Sequence, residues 1–144
     1  MILFNKSFDY FLNSNIELIS GIFILAIYIF AGYNKLISFN NTQSGITSKI
    51  TSIINIDIPK FFYFLITLMV IVIEIVIPIL IIYSKIGNNN KTKDLISKYG
   101  IIILIFFTIL VTLLYHNPIY GSERISFLKN LSIIGALFLM LKFY

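Results

Sequence analysis

Four long apolar runs decide what this chain can fold into. They extend from about Ile16 to Phe39, Phe61 to Tyr83, Tyr99 to Tyr115 and Phe127 to Phe143. Each approaches or reaches the roughly 20 residues that an α-helix needs to cross bilayer hydrocarbon at about 1.5 Å per residue. Their apolar residues are continuous, not alternating, which is the wrong pattern for the strands of a membrane barrel. In hydrocarbon the backbone must satisfy its own hydrogen bonds, so the runs predict an all-α integral membrane bundle of four transmembrane helices. The expected spans are about 16–39, 60–83, 98–116 and 127–143, in one domain covering residues 1–144. Composition agrees: with 58% hydrophobic and 12% charged residues, a soluble fold of this length could not hide its apolar surface.

Local signals set the boundaries. The first run exceeds the 7–15 residues or so of a signal-peptide core and ends in Tyr33, Asn34 and Lys35, so a retained helix is expected. Pro59 suits the start of the second helix, and Pro78 within it predicts a kink or loosened turn. Ser84 to Lys98, with Lys85, Asn88, Asn89, Asn90, Lys91 and Lys93, reads as a solvated connection. Asn117, Pro118 and Gly121 supply a stop and turn after the third run. Lys129 and Asn130 interrupt the start of the fourth, where Lys129 would snorkel to the interface; an interfacial half-helix is the alternative. Lysines cluster in the middle connection, which with four spans places both termini on the cytoplasmic side.

Several chemistries are excluded or disfavoured. The chain contains no cysteine, which rules out disulfides, thiolate metal ligands and CxxC redox chemistry. One histidine and six scattered acidic residues predict no protein metal site. The net charge of +5 sits in short connections between apolar runs, so topology explains it and nucleic acid is not an expected partner. No phosphate loop, HExxH or GxSxG motif occurs.

Polar residues inside the runs are the candidates for function, because each ionised group costs about 2.5–3.5 kcal/mol to insert. Glu74 lies mid-helix on a face with Thr67, Ile71, Pro78 and Ile81. It either ties helices together or forms a site. His116 ends the third run on a stripe with Thr108 and Thr112, expected to point into the bundle, and Lys35 ends the first run on the same membrane side. Glu17 starts a face that continues through Gly21, Ile24, Tyr28, Ala31 and Lys35, whose small members, like Gly135 and Ala136, would let helices approach closely.

In this order, Ala31-Gly32-Tyr33-Asn34-Lys35-Leu36, then Glu74, then His116 and Phe127-Leu128-Lys129-Asn130-Leu131 with Gly135 resemble the DoxX family over about Gly21 to Leu141. The resemblance implies a four-helix membrane protein with a bundle-facing Glu74 and with Lys35 and His116 at its polar mouth. Members often carry an arginine near the start of helix one, where this chain has Glu17. Glu74 is therefore expected without a preformed counter-charge, and neutral at pH 7.

Relatives in that family include a subunit of an archaeal thiosulfate:quinone oxidoreductase, parts of bacterial stress-defence complexes and eukaryotic cargo receptors. No catalytic residue is evident here, so the favoured expectation is a non-enzymatic helper or subunit working in the lipid bilayer with a membrane-protein partner or as a homo-oligomer. No cofactor is predicted on that reading. The alternatives are a quinone-linked oxidoreductase subunit, with quinone beside Glu74 and His116, and a small-solute transporter.

Overall fold

A computed structural model describes residues 2–55, 58–86, 90–116 and 123–143, with side chains from Asn15 onward except those of Ile54 and Phe143. Five helices account for them: α1 (Ile2–Ile37), α2 (Phe39–Ile54), α3 (Lys60–Lys85), α4 (Lys91–Tyr115) and α5 (Arg124–Phe143). No strand occurs among the described residues. Four segments are long and apolar enough to cross a membrane: Asn15–Ile37 of α1, all of α3 and α4, and Arg124–Lys142 of α5. The chain is an all-α membrane bundle, as the apolar runs require.

Three boundaries differ from expectation. The stretch after Lys35 is a separate helix, α2, which takes Phe39 away from the first span; its apolar residues Phe39, Ile46, Ile50 and Ile53 recur at helical spacing among polar ones. Asn55 closes it in the left-handed conformation, φ 55°, with its backbone N–H donating to the Thr51 carbonyl. The third span begins at Lys91, not near Lys98. The Asn90 side chain accepts from the Lys93 backbone N–H at 2.9 Å, and Asp94 lies in the first turn, so most of the presumed connection is capped helix. Helix α5 begins at Arg124, giving a candidate span of 19 residues in place of a half-helix, with Lys129 exposed. Helix α3 runs continuously through Pro78, which is fully buried. Asn88 and Asn89 of the connection, and the turn at Asn117, Pro118 and Gly121, lie outside the described residues.

The spanning helices form a ring in which α1 packs on α3, α3 on α4, α4 on α5 and α5 returns to α1. Its core holds Leu25, Tyr28, Ile81, Leu104, Ile133 and Leu137. Lipid is as apolar as these side chains, so close packing and hydrogen bonds, not water exclusion, hold such helices together. Glycine supplies the closeness on both sides of α3. A Cβ at Gly32 would stand 2.6 Å from an Ile75 side-chain carbon and 2.9 Å from Glu74 Cβ; at Gly100 it would stand 2.7 Å from Ile81. Hydroxyls supply the bonds. Thr108 donates to the Leu104 carbonyl, which leaves Tyr28 as donor in the contact that joins α1 to α4 across the ring. Ser84 and Ser97 join α3 to α4 where both are buried.

Candidate functional site

Glycine at position 32 also decides what stands opposite Glu74. With the α1 backbone drawn onto α3 there, Lys35 lies one turn farther along the same helix and reaches back to the carboxylate. Its Nζ donates to both Glu74 oxygens, at 2.8 and 2.7 Å. The glutamate side chain is 7% exposed and the lysine 33%, so the pair is not sealed. This corrects the expectation that Glu74 lacks a counter-charge. The cation comes from the end of helix one, not from its start. Glu17 is not brought to Glu74; it lies about 27 Å from Lys35 along α1, bordering a separate cavity with Ser20, Ile24 and Ala136.

A step in helix lengths creates the space beside the pair. From Gly32, α1 continues for only about 8 Å before Ile37 ends it, whereas α3 continues about 21 Å from Glu74 to Lys60. Helix α2 occupies this step. Phe39 meets Phe64 with ring centroids 5.5 Å apart, and the Thr51 hydroxyl meets Tyr63 Oη at 3.2 Å. Those two contacts are about 18 Å apart along α2 but adjacent on α3, so α2 crosses α3. Lys49 Nζ lies 5.7 Å from the centroid of the Tyr115 ring, which fastens the crossing helix to the end of α4.

Beneath α2 is a pocket of about 300 Å³ with Ile46, Val70, Phe107 and Val111 among its walls and Lys35, Glu74 and His116 at its polar end. A second space of about 180 Å³ opens on the other flank of the same pair. It shares Lys35, Glu74, His116, Phe107 and Val111 and adds Tyr28, Thr108 and Ile133 from α1, α4 and α5. A more spacious groove, about 760 Å³ between α2 and residues 58–63, is lined mainly by uncharged polar side chains and Lys60, and lies away from the ion pair. Size therefore does not mark the site; charge at depth does.

The structure brings Lys35, Glu74, His116 and Thr108 to this place. Thr112 is buried on the same α4 stripe and donates to the Thr108 carbonyl at 2.6 Å, within its own helix. His116 Nδ1 faces Glu123 Oε2 at 2.8 Å, which ties the end of α4 to the start of α5. Sequence reading did not single out Glu123, Gly45, Phe107 or Tyr115. The helical spacing of α2 was the signal that could have found Gly45. Gly135, expected at a helix contact, has nothing within 4 Å of the place its Cβ would occupy, so among the described residues no helix packs closely on it. Among the described residues no group of three or more His, Asp or Glu converges on a metal position. No protein-family model, no curated protein and no solved structure matches the chain.

Proposed function

We propose that this chain is a DoxX-like, non-enzymatic subunit of a membrane complex that holds the polar end of a membrane amphiphile beside Lys35 and Glu74. One observation carries the reading: an ion pair at depth opens into a pocket with apolar walls. Enclosure removes solvent screening from a pair that only joins helices, provided its remaining donors and acceptors are satisfied within the bundle. Lys35 instead keeps a third of its side chain accessible. The helices are joined by short connections, so the subunit meets its membrane-protein partner, or a second copy, through outward helix faces.

Purification from native membranes in mild detergent, with mass spectrometry of co-purifying proteins and extracted small molecules, tests this. The expected result is a membrane-protein partner together with a lipid-like molecule that Lys35→Met abolishes. A chain that retains neither would refute the proposal. A second reading, a quinone-linked subunit, draws support from the His116–Glu123 contact beside the pocket, since such a pair can pass a proton to a reducible ring. Retention of a quinone without a protein partner would favour it.

Both termini are proposed to face the cytoplasm, on the side of Lys85 and Lys91, by the lysine bias. Because cysteine is absent, single probes at Ser52 of α2 and at Lys91 test this directly. Labelling from opposite sides, with Lys91 accessible from the cytoplasm, is expected.

A further inference from the structure

Two arms leave one polar point, the first with apolar walls and the second with mixed walls, where Tyr28, Thr108 and Asn130 stand beside Ile27, Ala31 and Ile133. The arm under α2 and the arm toward α5 both begin at Lys35, Glu74 and His116, and Phe107 and Val111 border both. The first arm has room built into it. Gly45 lines it and has nothing within 4 Å of the position a Cβ would take, although glycine is unfavourable inside a helix.

The polar point is charge-balanced at its centre. An ammonium has three N–H donors, and Lys35 gives two to Glu74. One remains for an acceptor. His116 has its Nδ1 on Glu123, which places the proton of a neutral ring there and leaves Nε2 as an acceptor. A hydroxyl is the simple group that can accept from the lysine and donate to the imidazole. An anionic head at Lys35 would draw it from Glu74 and leave a buried carboxylate uncompensated. The further cations do not change this centre: Lys129 is exposed at the rim of the α5 arm, and Lys49 is turned onto the Tyr115 ring.

We infer that the notch takes a neutral two-chain lipid with a hydroxyl head, of the diacylglycerol kind, the head at Lys35 and His116 and one chain in each arm. This rests on the amphiphile reading above and adds the charge and chain number of the ligand. Native mass spectrometry of the purified full chain, with dioctanoylglycerol, dioctanoyl phosphatidate or decylubiquinol added at equal concentration, tests it. Dioctanoylglycerol is expected to bind at least tenfold more tightly than either of the others. Gly45→Leu and Ala31→Leu, each filling one arm, are expected to weaken it at least tenfold with helical content and melting temperature retained.

Phosphatidate binding as tightly as dioctanoylglycerol overturns the neutral head. Decylubiquinol binding more tightly, with no response to Ala31→Leu, overturns the two chains. In both cases the amphiphile reading stands. Binding of none of the three overturns the inference, and if Lys35→Met also leaves the lipids extracted with the chain unchanged, the amphiphile reading falls with it. The ranking on the unsubstituted chain decides the inference even where a variant fails to fold.

Discussion

Near its C-terminus α3 meets α4 through Ser84 and Ser97, which are 1% and 0% exposed. Near its middle it meets α1 through Glu74 and Lys35, where the lysine is 33% exposed. Both contacts are polar, both join neighbouring helices, and each lies close to a glycine that lets backbones approach, Gly100 in one case and Gly32 in the other. Yet one is enclosed by neighbours and the other borders two cavities. The difference follows from how many helices end at each contact. Beside Ser84 only α3 ends, at Lys85, while α4 runs on to Lys91; beside Lys35 and Glu74 both α1 and α4 end, at Ile37 and Tyr115, while α3 goes on alone. A polar contact at depth is thus structural where neighbours close it in, and becomes a candidate site where two helices end together beside a third.

Substitutions at the two contacts should therefore part company. The largest effect is expected from Lys35→Met, which leaves Glu74 without its cation and should cost about 3–5 kcal/mol in a denaturing-detergent titration. The double variant Lys35→Met/Glu74→Met should recover most of that loss, because it removes the stranded charge together with its partner. A single-variant cost below about 1 kcal/mol would put the pair in the class of exposed ion pairs and dissolve the contrast.

Gly32→Val should come next, at about 1–3 kcal/mol, since its Cβ must displace an Ile75 carbon and the Glu74 Cβ. Gly135→Val, in open space, should stay within about 0.5 kcal/mol. Equal effects at the two glycines would mean that the close approach of α1 to α3 is not what seats Lys35.

Ser84→Ala removes one interhelical hydrogen bond and should cost about 0.6 kcal/mol, with the small molecules extracted with the chain unchanged. A loss of bound lipid in this variant would make the sealed contact part of the site. The opposite sign is expected at Gly45→Ala, a gain of at most about 1 kcal/mol seen as a modest rise in melting temperature. Destabilisation there would show that α2 has no open space beneath Gly45.

The sequence made some of this legible in detail. The α3 stripe of Thr67, Ile71, Glu74, Pro78 and Ile81 is buried as helical spacing requires. Thr108 and Thr112 face inward on α4 for the same reason. On α1 the inward face was placed slightly off: Gly21, Leu25, Tyr28 and Gly32 are buried, while Ala31 is only partly so. Periodicity fixes which side of a helix is polar or small, but not how far the helix rotates against its neighbours. Helix α2 went unread because its apolar residues are sparse among Asn, Ser and Thr, and Lys91 to Lys98 because a capped polar turn has the composition of a loop.

Amino-acid sequence by itself determined the class of this protein: long apolar runs can satisfy their backbone in lipid only as helices, and the ends of those runs set how many there are. It also determined that Glu74, Lys35 and His116 sit where a charge needs a partner. The partner itself was decided by tertiary structure. Whether Lys35 or no cation at all answers Glu74 depends on the axial offset of α1 against α3. That offset is set by the fit of Gly32 to Glu74 and Ile75, and a fit between two surfaces is written in neither helix alone.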